Sequence, residues 1–501
     1  MIGRVAARVS GSLCVVLVLA SCAYGQSWPT EAPPSPLEAR RVDFPSYELR
    51  TLPNGLQVLF VPHSEQPSVS FRMIVRAGAL QELQGRPGVS SFVSALLNQG
   101  TTTRTASQIA DTIDSAGGLL GVGSANELTY VQGAVVKDRT DEALALMADI
   151  IRNPAFPEQE ITLQKQQAMS ALQVGYDDPD YLANAVFSRL VFGGHPYGQS
   201  GQGTPESINR IARADLVAFH RTWFVPNNAL MAVVGDLTPA EAFAAVERAF
   251  GDWQRRDVPT VRAAEPPVAA RRVVIIDRPG SAQTEIRAGH LAIERTHPDY
   301  IAFDLAIRIL GGEGANRLFG VLRSDRGLTY GASADLNTYR TSGVVVAETD
   351  TRTSATGETL RLMVDEFARL QRERVHPAEL QGAQDFMAGN FPLTIETSSA
   401  IAEQVLVRLF YGQDLSEIET YLDQVAKVTP ADVQRVARQL LKPDALTVVL
   451  VGDAATFVNQ LKQMGFSDFE RIAVSQLDLD APSLRRSAGG TPAAGAGAPP
   501  R

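Results

Sequence analysis

Cysteine is nearly absent from this 501-residue chain, and the only two, Cys14 and Cys22, both lie in its amino-terminal leader. A disulfide framework is thereby excluded for everything downstream, so folding must rest on apolar burial. Histidine is also scarce. His63, His195, His220, His290, His297 and His376 form neither an H-x-x-x-H nor an H-x-x-E-H spacing, so no helix offers two imidazoles one turn apart. His195, followed by Pro196, reads as a turn residue. The apolar run from Leu13 to Ala20 is too short to span a bilayer. A formal net charge of -9 and the lack of any RNA- or DNA-binding signature exclude nucleic acid as the main partner. Gly311-Gly312-Glu313-Gly314 lacks the Gly-Lys-Ser/Thr ending of a phosphate loop. Ser91 and Ser94 lack the G-x-S-x-G surroundings of a serine hydrolase.

What remains is ordinary globular material, 45% hydrophobic and 20% charged, long enough for more than one substantial core. Arg4 and Arg8 precede the run Leu13 to Ala20, the pattern of an export signal. Leu19-Ala20-Ser21-Cys22 resembles a bacterial lipoprotein cleavage box, which would leave Cys22 as the lipidated first residue; Ala23-Tyr24-Gly25 offers ordinary cleavage instead. Either route predicts a periplasmic protein, soluble or anchored by lipid to the outer membrane and facing the periplasm.

Alternating residues predict strands at Tyr47 to Arg50 and Leu56 to Val61, joined at Asn54-Gly55, a hairpin signal, with a third run from Val69 to Val75. The chain then repeats itself. Ala214-Asp215-Leu216, Pro226 and Met231 to Asp236 return as Ala431-Asp432-Val433, Pro443 and Val448 to Asp453, each shifted by 217 positions. Tyr197-Gly198-Gln199 and Tyr411-Gly412-Gln413 lie at nearly that offset. Two homologous α+β halves are implied, each a mixed, mostly antiparallel sheet packed with helices. The expected division is a signal peptide over 1–25, a first domain over 45–253, a Pro-rich linker over 254–272, a second domain over 273–475 and a flexible Gly/Ala/Pro-rich tail over 476–501.

Val89, Phe92, Val93, Leu96 and Leu97 make one apolar stripe at helical spacing, bounded by Gly88 and Gly100. Positions 91 and 95 share a face, yet from Gly85 to Thr101 there is no Cys, His, Asp or Glu. Together with Leu52-Pro53-Asn54-Gly55-Leu56, Arg76-Ala77-Gly78, Gly100-Thr101, Gly117-Gly118 and His195-Pro196-Tyr197-Gly198, in this order and spacing, the segment resembles the pitrilysin (insulinase-like) zinc metallopeptidase family over about residues 45 to 475. Where that family carries H-x-x-E-H, this chain has Ser91, Phe92, Val93, Ser94 and Ala95. The family's third ligand, a glutamate about eight residues before a proline on a later helix, falls at Ala171, and no Asp, Glu, His or Cys occurs from Ile161 to Tyr176. The resemblance thus implies a chain that binds no zinc itself.

The resemblance also implies a role. Arg323 and Tyr330 stand at the spacing of the family's Arg/Tyr pair, which faces the zinc from the carboxy-terminal half. A guanidinium and a phenol are donors suited to a peptide carbonyl and the oxyanion it becomes. From residue type alone, Arg323 also reads as a surface ion-pairing residue and Tyr330 as a half-buried aromatic, with Arg326 a nearby alternative. Some members work in pairs, one chain bearing zinc and the other lending the donors. The expectation is a non-catalytic subunit of an exported heteromeric metalloendopeptidase, forming half of a clamshell, with zinc held by the partner and peptides or unfolded polypeptides as substrate. The alternative is a peptide-binding or scaffold protein of the same fold without a catalytic role. The stretch Gly117 to Asn126 matches the family's substrate-pairing edge strand and equally reads as a Gly-rich turn before an ordinary strand.

Overall fold

The computed structural model describes residues 44–486 apart from 83–85, 263, 313 and 315. The expected signal peptide, with Cys22, and the Gly/Ala/Pro-rich stretch from 487 onward lie outside the described residues. The first six runs of β-branched and alternating residues form one sheet: β1 (Glu48–Thr51), β2 (Gln57–Pro62), β3 (Ser68–Val75), β4 (Leu119–Ser124), β5 (Thr129–Val136) and β6 (Ala229–Gly235), in the order β1-β2-β6-β3-β5-β4. The second is built from β7 (Arg272–Asp277), β8 (Gln283–Ala292), β9 (Ala332–Thr338), β10 (Gly343–Arg352), β11 (Thr447–Gly452) and β12 (Glu470–Ala473), in the order β12-β7-β11-β8-β10-β9.

The duplication seen in the sequence is a duplication of topology. The series β2-β6-β3-β5-β4 and β7-β11-β8-β10-β9 coincide, and in each the first two strands run parallel while the rest are antiparallel. The repeated apolar run before Gly-Asp becomes β6 and β11, which hold the same place. The halves differ only at the outer strand, where β1 is antiparallel to β2 and β12 parallel to β7. Asn54-Gly55 does sit between β1 and β2, but in a five-residue connection closing on Thr51 opposite Gln57. Asn54 donates its amide to the Phe250 carbonyl at 2.7 Å, so this turn also ties down the last helix of the first half.

Five helices shape the site and the joint between the halves: α1 (Val89–Leu96), α2 (Glu158–Asp177), α3 (Pro179–Phe192), α4 (Tyr300–Gly311) and α5 (Ser398–Tyr411). Two of them cross over. α3, from the first half, lays Leu182, Val186 and Phe187 on Val274, Ile276, Val449 and Val451 of the second sheet. α5, from the second half, lays Ile401, Val405 and Leu406 on Leu59, Ile74, Leu230 and Val234 of the first. This is why β6 and β11 are buried at every residue: each is covered on one face by its own half and on the other by the opposite half. The crossing is pinned by Arg287, only 2% exposed, which pairs with Asp180 of α3 and donates to the Asn184 side-chain oxygen at 2.9 Å. At its centre the repeated Tyr-Gly-Gln motifs meet. Tyr197 donates to Glu127 Oε1 at 2.7 Å and Tyr411 to Glu127 Oε2 at 3.5 Å, and burial raises the pKa of that carboxyl.

One sequence expectation needs correction. The tail does not become flexible at 476: Leu477, Leu479 and Leu484 are buried against the α3 cluster, and Leu477 bridges Arg485, because three leucines in this short stretch have an apolar surface to cover. The expected linker over 254–272 carries no helix or strand among its described residues as far as Arg271, and β7 begins at Arg272. The linker does not, however, separate two independently packed bodies, since α3 and α5 each pack beyond it.

Candidate functional site

The helix α1 begins where Gly88 takes a left-handed conformation (φ 99°), and a β-carbon there would sit 3.0 Å from the Gly203 backbone. No side chain at the N-cap serves its free amides. Glu82 does so from outside, accepting the N–H groups of Gly88 at 3.0 Å and Ser90 at 2.7 Å and the Ser90 hydroxyl at 2.6 Å. Burial nonetheless pushes the Glu82 pKa up to about 7. Val89, Phe92, Val93 and Leu96 point into the core.

The remaining positions are those of the degenerate motif. Ser91 and Ala95 share the partly exposed face, while Ser94 is buried and donates its hydroxyl to the Ser91 carbonyl at 2.9 Å. α2 packs against α1, but not through the residue expected. Ala171 is exposed. The inward face of α2 carries Ile161 and Leu172, buried in the same cluster as Val89, Phe92 and Val93, with Ala168 and Met169 beside them. Leu172, one residue after Ala171 and seven before Pro179, is therefore the residue on the buried face of α2, since each residue turns the helix by about 100°. With Leu172 in place of Ala171 the chemistry is unchanged. Two serine hydroxyls, an alanine methyl and a leucine supply neither the ligand set nor the charge that zinc requires, so the residues present do not fit that metal. Among the described residues no group of three His, Cys, Asp or Glu side chains is placed to hold an ion.

The Gly117 to Asn126 stretch contains β4, the outer strand of the first sheet. It pairs with β5 on one side and lies against α1, leaving its other edge open among the described residues, with Leu119 exposed. Arg323 and Tyr330 lie in the segment that leads into β9, the corresponding outer strand of the second sheet. Arg323 occupies a π-helical turn, Gly320–Asp325, that follows the short helix Arg317–Phe319. Its guanidinium lies 4.3 Å from the Tyr330 ring centre and 5.2 Å from that of Phe319, and its Nη1 donates to the Tyr330 carbonyl. Leu328 is buried and Thr349 donates to the Gly331 carbonyl at 2.7 Å, which fixes the backbone on both sides of a tyrosine that is itself 81% exposed. Arg326 points elsewhere, to Glu358 at 3.7 Å. The structure thus joins Arg323 with Tyr330 and sets both at the surface.

Sequence reasoning missed Glu82 and Glu127. The sequence sign of Glu127 is indirect: the two tyrosines that donate to it belong to motifs repeated at nearly the common offset, but a repeat alone does not place its copies together. Glu82 carries no such signal: a carboxylate capping a helix from seven residues upstream has no fixed spacing.

Known proteins match most of this chain. Residues 57–200 match the family model described as insulinase (peptidase family M16), and residues 210–387 match that described as peptidase M16 inactive domain. A protein named uncharacterized zinc protease from Mycobacterium leprae is 27% identical over 397 residues, covering 78% of this chain and 88% of its own length. One of the same name from Bacillus subtilis is 22% identical over 395 residues, covering 79% and 95%. Among solved structures, a peptidase M16 inactive domain from Pseudomonas fluorescens superposes with a TM-score of 0.77 at 28% identity, covering 81% of this chain and 98% of that one. A protease from Helicobacter pylori superposes with a TM-score of 0.76 at 22% identity, covering 81% and 100%.

Proposed function

Because the chain belongs to the insulinase-type M16 peptidase family, we propose that it is the non-catalytic subunit of an exported, heteromeric zinc metalloendopeptidase. The observation that carries this reading is an asymmetry within one molecule. The place of the zinc motif holds Ser91, Ser94, Ala95 and Leu172, while the Arg323 and Tyr330 donors stand together with the tyrosine turned out to solvent. A zinc-bearing relative would close over this chain as the other half of a clamshell. Tyr330 would then donate its hydroxyl to the carbonyl oxygen of a bound peptide, and Arg323, stacked behind it, would hold the phenol in place and add positive charge where negative charge develops. The open edge of β4 suits main-chain pairing with unfolded polypeptides, which is largely indifferent to sequence. The same open edge supports the second reading, a peptide-binding or scaffold protein without a part in cleavage. Export to the periplasm, and a lipid anchor on Cys22, belong to the proposal as well.

The test is reconstitution. Purified chain mixed with a family member that carries H-x-x-E-H is expected to cleave an unfolded polypeptide that neither cleaves well alone. Tyr330→Phe and Arg323→Ala should each lower that rate by roughly 100-fold, with Arg326→Ala as the unaffected control. Restored cleavage that neither variant changes would remove the assigned role, and stable complexes in which no chain binds zinc would favour the scaffold.

A further inference from the structure

Two guanidiniums without a carboxylate partner among the described residues meet beside a cavity of about 330 Å³. The cavity lies between the loop that leaves β8, the start of α4, the end of α5 and a sixth helix, α6 (Ser416–Lys427). Arg295 enters from the loop and Arg408, 6% exposed, from α5. Arg408 donates only to neutral acceptors, the Gln404 carbonyl at 3.2 Å and the Gln404 side-chain oxygen at 2.6 Å. Arg295 stacks 4.1 Å from the centre of the Tyr300 ring, and its Nε–H is buried with no acceptor. On the same cavity, Gln413 Oε1 is a buried acceptor with no donor.

Two acids, Asp414 and Glu417, also line the cavity, and the Glu417 charge acts on Arg408 against the effects of burial and Arg295, but both carboxylates are engaged by other donors. Asp414 accepts the Ser416 N–H at 2.8 Å and Glu417 accepts the Gln413 amide at 2.9 Å, and among the described residues neither arginine has a carboxylate within ion-pair distance. Burial, with the Arg295 charge adding to it, lowers the pKa of Arg408. Two like charges held close in a poorly hydrated place are costly unless an oxygen-bearing anion completes the set.

We propose that this cavity binds a small oxyanion between Arg295 and Arg408, and that the anion carries at least one hydroxyl. The charge would face the two guanidiniums and the Arg295 Nε–H, and the hydroxyl would donate to Gln413 Oε1. Phosphate, a phosphate monoester and a hydroxycarboxylate meet this description, whereas acetate meets only half of it. The site also has a mechanical meaning. The Arg295 N–H donates to the Tyr339 carbonyl in the β9–β10 turn at 2.9 Å, while α5 lies on the first sheet, so the bound anion joins the two sheets through groups of its own.

Isothermal titration of the full chain with inorganic phosphate at low chloride tests this. One saturable site is expected, weakened by roughly tenfold or more in Arg295→Gln and in Arg408→Gln, and unchanged in Arg361→Gln, an exposed residue paired with Asp365. Glycerol 3-phosphate and lactate should compete and acetate should bind less tightly, which separates a hydroxyl-bearing anion from a bare carboxylate, and the relative affinities of glycerol 3-phosphate and lactate tell a phosphate ligand from a carboxylate one. Because Arg408→Gln can disturb α5, Arg295→Gln with unchanged circular dichroism is the deciding variant. No saturable heat with any of these anions, or equal affinity in wild type and Arg295→Gln, would overturn the proposal.

Discussion

His290 is held neutral by its neighbours. Its Nδ1–H donates to the Leu291 carbonyl at 2.7 Å, its Nε2 accepts the Lys442 N–H at 3.1 Å, and burial pushes its pKa down to about 4. Below about pH 6.5 the unfolded chain takes up a proton that the folded one refuses, so the stability this residue contributes is present above that pH and is lost as pH falls toward 4. The urea midpoint is expected to drop between pH 7 and pH 5, and His290→Asn should remove about 2 kcal/mol of that change. Glu82 works in the opposite sense. With a pKa of about 7 against an ordinary value near 4.5, its proton stabilises the fold at low pH, and the contribution fades as pH rises through 7. Glu82→Gln should flatten the fall between pH 6 and pH 8 and raise stability at pH 8 by about 1 kcal/mol, read from the same denaturation series.

Among the elements, α1 was fully legible, because an apolar stripe at helical spacing between two glycines leaves little choice. The facing helix was not. Its hydrophobic stripe is weak, Leu163 and Val174 lie on the exposed side, and nothing local distinguishes Ala171 from Leu172 until the packing against α1 is known. The difference can be measured by grafting. Ser91→His, Ser94→Glu and Ala95→His combined with Leu172→Glu should bind zinc close to stoichiometrically by mass spectrometry of the metal, and the same graft with Ala171→Glu should bind at least roughly tenfold less tightly, for want of its third ligand. Equal zinc content in the two grafts would show that the face assignment is wrong. Arg323 and Tyr330 were legible as a spacing, but their stacking depends on a π-helical turn that a seven-residue interval does not reveal.

For the whole molecule, the repeat announced two related sheets and the order of elements within each, but not the crossing of α3 and α5. A helix that covers a distant sheet carries the same apolar stripe as one that covers its own. The energetic result is that neither sheet has a complete core without the other half. Thermal unfolding is expected to give one calorimetric transition rather than two, and Phe187→Ala, on α3, should destabilise the molecule by about 3 kcal/mol while keeping that transition single. Two resolved transitions would show that the halves fold apart. The crossing also decides what happens when the peptide bond near the exposed Val261 or Val268 is cut. The fragments would remain clasped like two linked hooks, so a nicked chain should elute from a sizing column as the intact species, and the two pieces, made separately, should find each other and regain the native form.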